Sequence, residues 1–575
     1  MINKLRPLFL AVSVIAAALL AYGVFTLPRP QGTESEGFSS ARVVKDIEAI
    51  AKVPHSVAQP QERAAVREYL VKRLQELGAD TVRILSYDSL TGPKNKHVVY
   101  TFDAHNIVAE FAPLHSNADP AADLMFVAHY DSRYSHLFAR DTVWSCGAAD
   151  DGYGVGVILE TVSQLVKERQ DWSQGVKVLF TDAEEPGMMG MSAMWEKDRA
   201  EFDNVGLMVN VEARGPWGPA LLFEACPGNE KVIDLYASAA RYPYTYSLTT
   251  VVYKFMPNFT DFTIVKDSIP GLNFSTVADV NHYHTHLDNI SNISQKSIQH
   301  YGEQILPLAK EYLLNPEYVS ADAMKADADA VNFTIPALGL LNFSKIGYVI
   351  VNVVIFLLFL LVFGLEGVRG RLNARKVFTK SLVVLASALG MLVVGTFISC
   401  VCSSVAGVPF KLFGTLQGIM FDNVAMIISE ILMFAVCVLL YILARAKAVR
   451  KSSGSMRQSA SANAARNHAY NLMYGVMALL FILSIALLIA LGENMMFLIP
   501  LAFGTVAMIL YHLTGLKVWL PTAIAFVLMH AFSFYYALSM ALTIGALGAV
   551  MMLSLLVIML VIPMADIYLM PSRKK

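Results

Sequence analysis

The sequence predicts an α/β domain, a three-layer arrangement with a mainly parallel or mixed sheet between flanking helices, followed by a C-terminal all-α transmembrane bundle. Three observations predict it. Short β-rich runs alternate with helical patterns over residues 39–314. Apolar runs long enough to span a bilayer recur from residue 346 onward. Hydrophobic residues make up 55% of the 575, with a mean hydropathy of +0.48, more than a soluble protein carries. The formal charge of -1 averages a polar, acidic first half and an apolar second half whose short loops carry Lys and Arg. No basic patch points to nucleic acid, which is excluded as a partner. The five cysteines form neither a disulfide framework nor a CxxC zinc motif. Cys146 and Cys226 lie where an exported domain would let them pair, and the sequence leaves that open.

Taken in order, Leu8 to Leu27 is an apolar run that can cross a bilayer, with Lys4 and Arg6 before it and Pro28 and Pro30 after it. Its length favours an uncleaved anchor, residues 1–30, over a cleaved signal peptide. The positive flank then stays in the cytoplasm and the next domain is exported. In that domain, residues 31–315, Ser39 or Ser40 caps a helix through about Lys52, and QERAAVREYLVKRLQEL keeps helical spacing until Gly78. The runs VRILSY, HNIVAEF, LMFVAH, VKVLFT, VGLMVNVE, ALLFEA and PGLNFS read as strands, with a helix from Val155 to Glu168 among the separators. Sites in such sheets collect beyond the carboxyl ends of strands, and His129, Glu184, Glu185 and Glu212 all stand at or just after such ends.

A linker, residues 316–345, leads to a membrane domain, residues 346–575, of about seven spans near 346–365, 378–400, 423–444, 471–491, 495–512, 518–537 and 541–563. Arg369, Arg371, Arg375 and Lys376 fill one loop, Arg445 through Arg466 another, and Arg573 to Lys575 the tail. An odd number of spans after an exported domain puts all three basic segments on the cytoplasmic side, giving eight spans with both termini inside. The stretch Lys451 to Asn467, rich in Ser and Ala, reads as a flexible loop.

The chemistry-bearing residues begin between Ala128 and Gly156, with the His129-x-Asp131 pair and the Asp150-Asp151-Gly152 turn. Glu184 and Glu185 in LFTDAEEPG, Glu212 in MVNVEARG and His284 in NHYHTHLDN complete an inventory suited to divalent metal. Zinc accepts His nitrogen and carboxylate oxygen while leaving a position for water. Two metals about 3.5–4 Å apart can activate a water and stabilise the oxyanion of peptide hydrolysis. A carboxylate outside the ligand set must then take the water's proton. Alone, each piece has an ordinary reading: a structural His–Asp pair, a helix cap, a solvated turn, a Glu212–Arg214 ion pair, and a polar loop carrying His282, His284 and His286. Their order and placement together are what is specific. No HExxH and no GxSxG occurs.

The runs AHYDS, GAADDGYGV, TDAEEPGMMG, NVEARGPWGPALLFE, NFTDFTIVK, IPGLNF and YHTHLDN resemble the M28 family of di-zinc metallopeptidases, and most closely its membrane-embedded branch. The resemblance covers the exported domain, and it implies a zinc-peptidase-like fold with two zinc ions as cofactors. It implies that Asp150 bridges them, with His129 and Glu185 completing one position and Glu212 and His284 the other. Glu184 would be the general base, and Asp131 would hold the His129 ring in orientation. Glu212 stands where many soluble members have Asp, and His286 departs from the commoner YHTP; His284 is the expected ligand because it follows Tyr283. Family members mostly remove single residues from peptide amino termini, so peptide substrates are implied. Glu224 is then the candidate partner for the substrate ammonium, and Arg214 and Tyr283 are candidates for contacts with substrate or its oxyanion. The run Ser132 to Cys146 aligns with nothing in the family pattern and is expected to shape the substrate pocket.

Two other classes compete with a peptidase. A catalytically silent ectodomain would need no base beside two metals, so the complete set with Glu184 speaks against it. Transport through the bundle rests on Glu430 and His530 within apolar spans. The expected setting is a multi-pass protein of a bacterial cell membrane with the peptidase domain outside, a vacuolar or endoplasmic reticulum membrane being the alternative.

Overall fold

The computed structural model describes residues 2–23, 27–91, 101–115, 122–137, 141–254, 258–412, 414–452 and 458–571. Contacts divide the chain into two units, Phe25–Thr334 with Leu338–Lys345, and Met1–Val24 with Ile335–Ala337 and Ile346–Lys575. The second unit begins with α1 (Ile2–Gly23), the helix of the expected anchor.

In the first unit every β-rich run becomes a strand. In chain order the strands are β1 (Thr81–Thr91), β2 (Thr101–Phe111), β3 (Asp123–His129), β4 (Tyr134–Leu137), β5 (Asp141–Trp144), β6 (Val176–Thr181), β7 (Val205–Ala213), β8 (Trp217–Ala225), β9 (Gly271–Ala278), β10 (Val331–Ile335) and β11 (Gly339–Phe343). Seven of them form one sheet in the order β1-β2-β6-β3-β7-β9-β8, while β4–β5 and β10–β11 are separate hairpins. The sheet is mixed, one of the two expected forms. Only β6, β3, β7 and β9 run parallel; β1 and β2 are antiparallel on one side and β8 on the other. The reason at β8 is length: Arg214 to Pro216 is too short for the crossover that a parallel strand requires.

Helices α2 (Ser40–Ile50), α3 (Pro60–Glu76), α4 (Gly152–Leu165), α5 (Met189–Lys197), α6 (Glu230–Ala239), α7 (Ser247–Tyr253), α8 (Asp261–Val265) and α9 (Gln295–Leu314) accompany the sheet. Ser39 caps α2 by accepting from the Arg42 amide, and Gly78 follows α3 at φ +85°, which a side chain would strain. Helix α4 starts at Gly152, earlier than the expected Val155, because the Asp151 side chain accepts from the Gly154 amide and supplies the cap. Nearly all of α4 is buried, against α2, α9, β3 and β7. A Cβ on Gly154 would stand 2.6 Å from the Val211 carbonyl, so the bare glycine lets the helix start press directly on β7.

The expected linker, residues 316–345, carries the β10–β11 hairpin. Val331 and Phe333 are buried, Phe333 bridges to Tyr246, and the Thr334 amide donates to the Thr245 carbonyl. Its alternating apolar residues are a strand pattern that the Asp- and Ala-rich residues before it obscure.

The second unit continues with α10 (Lys345–Val368), α11 (Ala374–Ala406), α12 (Asp422–Ser452), α13 (Gln458–Leu491), α14 (Met495–Thr514), α15 (Trp519–Leu542) and α16 (Leu547–Leu569). Among the described residues seven stretches are long and apolar enough to cross a membrane; the last, Trp519–Leu569, holds both α15 and α16, parted by the turn Thr543–Ala546. Thr543 takes φ +55°, which ends α15 and delays the final helix to Leu547 from the expected 541. The expected flexible loop is largely helical, since α12 runs to Ser452 and α13 begins at Gln458. The basic tail Arg573 to Lys575 lies outside the described residues. His530 on α15 is buried with neither ring nitrogen hydrogen-bonded among the described residues, and Glu430 on α12 has Oε1 buried without a hydrogen-bond partner among them.

One buried histidine should make the first unit acid-sensitive. His300 on α9 accepts from the Ala220 amide at Nδ1 (2.9 Å) and donates from Nε2 to the Tyr242 carbonyl (3.0 Å), and burial pushes it down to about 4. The unfolded chain protonates this histidine near 6.5, so it binds more protons than the folded chain between about 4 and about 6.5, and stability falls as pH drops through that window. Going from pH 7 to pH 5 should cost about 2 kcal/mol through this group. Thermal unfolding of the full chain at the two values should show a smaller difference in His300→Gln than in the native protein.

Candidate metal centre

Parallel pairing sends the carboxyl ends of β6, β3, β7 and β9 to one edge, and the site is built there. His129 ends β3, Glu212 stands at the end of β7, Glu184 and Glu185 follow β6, and His284 follows β9. Asp150 arrives from the turn ahead of α4, where the Asp150–Asp151 peptide bond is cis.

Two groups of side chains could each hold a metal ion: His129, Asp150 and Glu212, and Asp150, Glu185 and His284. In each, the ligand atoms lie within 4.8 Å of one another, and Asp150 belongs to both. Asp150 Oδ1 is 3.2 Å from His129 Nε2, and Oδ2 is 3.2 Å from His284 Nε2. His129 Nε2 lies 3.8 Å from Glu212 Oε2, and His284 Nε2 lies 3.2 Å from Glu185 Oε2. The five residues singled out from the sequence therefore converge, but their division differs from the one the resemblance implies. His129 goes with Glu212 rather than with Glu185: β3 is flanked by β6 and β7 alike, but Glu212 stands on β7 itself, whereas Glu185 lies beyond the end of β6 in the following turn. Glu185 and His284 come from loops after the two flanking strands β6 and β9, and meet across Asp150.

The residues fit divalent cations. Asp150 Oδ2, Glu185 Oε1 and His284 Nε2 are buried with no hydrogen-bond partner among the described residues, an expensive state for polar atoms unless an ion takes them. Histidine nitrogen with carboxylate oxygen is a donor set that zinc accepts. The carboxyls titrate in opposite directions. Burial opposes the charge of Asp150, but the two histidine rings 3.2 Å from its oxygens outweigh it and hold the group below its ordinary value. Burial pushes Glu184, Glu212 and Asp151 well above theirs, each reinforced by neighbouring carboxylates.

Asp131 acts on the turn more than on the ring. Its carboxylate accepts the Glu184 amide at 2.9 Å and the Glu185 amide at 3.3 Å, whereas the His129 Nδ1 donates to the Asp131 main-chain carbonyl at 2.9 Å and stands 3.5 Å from Oδ1. That bond directs the Nε2 lone pair toward Asp150 and Glu212.

Of the substrate candidates, Glu224 has another role. It is buried, with Lys266 Nζ at 2.5 Å from Oε1 and Asn273 Nδ2 at 3.1 Å from Oε2, so its charge is already neutralised and not free for a substrate ammonium. Tyr283 stacks on His284 with ring centroids 3.6 Å apart, and burial, with Asp150 and Glu185 adding, raises its hydroxyl well above the ordinary value. Arg214 is pushed down by burial beside Tyr283 and Tyr253. His282 pairs with Asp279 at 2.9 Å, and His286 is exposed; neither joins the clusters.

Three further residues belong to the site and escaped the sequence reading. Asp288 accepts from the Ala149 amide (2.7 Å), the Asp150 amide (3.3 Å) and the Ser145 hydroxyl (3.0 Å), bracing the backbone that carries Asp150. Asp261, capped by Thr260 at the start of α8, accepts from the Thr181 hydroxyl and raises Glu184 through its charge. Arg133, the residue before the β4–β5 hairpin, donates to Glu185. The first two stood in NFTDF and YHTHLDN, where an acid beside a cap and an acid four residues after His284 were the available signals.

Residues 106–309 match the family model described as Peptidase family M28. The domain is M28-like. The chain is 25% identical over 312 residues to endoplasmic reticulum metallopeptidase 1 of Homo sapiens, covering 52% of this chain and 33% of that protein. It is 28% identical over 267 residues to the vacuolar membrane protease of Candida dubliniensis, covering 44% of this chain and 26% of that one. An aminopeptidase from Aneurinibacillus sp. strain AM-1 aligns with a TM-score of 0.39 at 13% identity, over 49% of this chain and 96% of the other. The match spans about a third or less of the length of these curated relatives.

Removing the Asp131 carboxylate would leave two amides of the M28-like site without their acceptor. Asp131→Ala is expected to lower the unfolding free energy by about 2–4 kcal/mol and Asp131→Asn by roughly half as much, measured by thermal unfolding of the full chain.

Proposed function

We propose that the M28-like domain is a zinc-dependent peptidase of the aminopeptidase type, held at a membrane by α1 and α10 to α16. The observation that carries this reading is the position of Asp150, one buried carboxylate with an oxygen toward each of two histidines and membership in both clusters. His129, Asp150 and Glu212 would hold one ion, and Asp150, Glu185 and His284 the other. Two zinc ions supply Lewis acidity, polarising the scissile carbonyl and making the attacking water more acidic.

The chain's own residues do the rest. Glu184 takes the water's proton on its carboxylate and passes it to the leaving nitrogen. Its burial among Glu212, Asp261 and Glu185 favours holding a proton, and nearby cations would bring that tendency back toward neutral pH. Asp131 fixes the amides of Glu184 and Glu185 together, so base and ligand keep one spacing. Tyr283, stacked on His284, and Arg214, near enough to Tyr283 to feel its charge, are the proposed donors to the oxygen of the attacked carbonyl. The aminopeptidase type rests on the family resemblance, with Glu224 removed from ammonium recognition.

The chain is an integral membrane protein on the strength of its apolar helices and membrane relatives. The proposed topology has the M28-like domain outside the cytoplasm and both termini inside. It draws on the Lys4–Arg6 flank and on the basic loops after α10 and α12, which the two helices between them bring to one side, the side an odd count from α10 to α16 also reaches after α16. A bacterial cell membrane is the proposed setting.

Glu184→Gln is expected to cut hydrolysis of aminoacyl-anilides by about 10²–10⁴-fold while metal content stays near that of the native protein. Unchanged turnover would remove Glu184 from its role. His284→Ala should lower bound zinc, and two equivalents retained on metal analysis would break the ligand assignment. Amino-blocked peptides should resist cleavage, and a chelator should stop hydrolysis of the free ones.

A further inference from the structure

The two candidate positions are not equivalent in what faces their unshared carboxylates. Glu212 Oε1 receives a neutral carboxamide, Asn210 Nδ2 at 3.2 Å. Glu185 is held by a guanidinium: Arg133 Nη1 donates to its main-chain carbonyl and to Oε2 at 3.0 Å. That Oε2 is the oxygen 3.2 Å from His284 Nε2, so Arg133 and the ligand cluster claim the same atom. The grip is largely out of solvent, with the Glu185 side chain 5% and the Arg133 side chain 30% exposed. Arg133 Nε is buried and has no hydrogen-bond partner among the described residues, so the guanidinium is turned to Glu185 at the expense of its own satisfaction. Arg133 belongs to the run Ser132 to Cys146, which departs from the family pattern.

We propose that Arg133 competes with a cation for the Glu185 carboxylate, making the position formed by Asp150, Glu185 and His284 the weaker of the two metal positions. The inference rests on the proposed metal reading. A neutral donor orients a ligand carboxylate without taking its charge, and such outer partners ordinarily strengthen binding. A guanidinium does the reverse, because a charge-assisted bond draws on the charge the metal needs. It also places a fixed positive charge beside an incoming cation where solvent screens little. At limiting metal the centre therefore holds one ion, between His129, Asp150 and Glu212, and fills the second position only at higher concentration.

Zinc titrated calorimetrically into the metal-stripped full-length protein in detergent micelles tests this without reference to turnover. The native protein should show two unequal steps. Arg133→Met and Arg133→Gln should tighten the weaker step by about tenfold and leave the stronger one in place, while Arg133→Lys, which keeps the charge, should leave the steps apart. His284→Ala should delete the weaker step and Glu212→Gln the stronger, with thermal unfolding checking that each variant is folded. A weaker step that is unchanged or weakened further in Arg133→Met and Arg133→Gln, or that survives His284→Ala, overturns the proposal and leaves the zinc reading standing. Absence of zinc binding in every variant overturns both.

Discussion

An ionised carboxylate buried between two histidines is the constraint on which the rest of the M28-like unit depends. Asp150 is only 4% exposed, and burial opposes its charge; the contacts at 3.2 Å to His129 and to His284 outweigh that. Such a group has to be held where both rings reach it, and the surrounding fold does this through the backbone. Asp288 fixes the Ala149 and Asp150 amides, Asp151 caps α4, and α4 lies flush on β7 because Gly154 has no side chain to hold it off the Val211 carbonyl. Each of these contacts sets the position of one turn, and that turn sets Asp150.

The sheet supplies the other half of the geometry. Four parallel strands deliver their ends to one edge, so residues far apart in the chain meet without long loops. The connections that carry the site pay a conformational cost: Ala183, Met188 and His284 sit at φ between +55° and +58°, a region that non-glycine residues avoid. Residues so held cost about 1–3 kcal/mol each and persist when their surroundings over-determine them. The Asp131 carboxylate, which binds both amides after Ala183, is one such surrounding.

What the sequence disclosed and what it withheld follow from the range of the interactions involved. His129, Asp150, Glu185, Glu212 and His284 were legible because their residue types and their places after β-rich runs are local facts. Their division between two positions was not, since it depends on the neighbours in the order β6-β3-β7-β9, and no spacing along the chain encodes that order. Glu224 was misread for the same reason: Lys266, 42 residues away, neutralises it only in the folded state. In the expected linker β10 and β11 form a hairpin from neighbouring residues, but the bridge from Phe333 to Tyr246 that seats it joins distant parts of the chain and leaves no mark in the sequence. The membrane helices were visible because length and hydropathy suffice to define them, whereas the start of α16 turned on the backbone of Thr543.

The misread Glu224 turns out to serve the centre at one remove. Lys266 anchors Glu224, Glu224 accepts from Asn273 Nδ2, Asn273 Oδ1 accepts from Asn210 Nδ2 at 2.9 Å, and the same Asn210 amide reaches Glu212 at 3.2 Å. Asn273 also donates to Thr260 at 2.9 Å, which ties the chain to the cap of α8 and so to Asp261. A connected polar network of this kind rigidifies what it touches, and the charge of Glu224 at its far end is met by Lys266. Glu212 is thus oriented from behind by neutral groups, with the cation kept at the far end. On the other side of Asp150 the cation, Arg133, touches the candidate ligand itself. The two halves of the centre use the same chemical parts, a carboxylate and a basic side chain, and differ in whether amides stand between them.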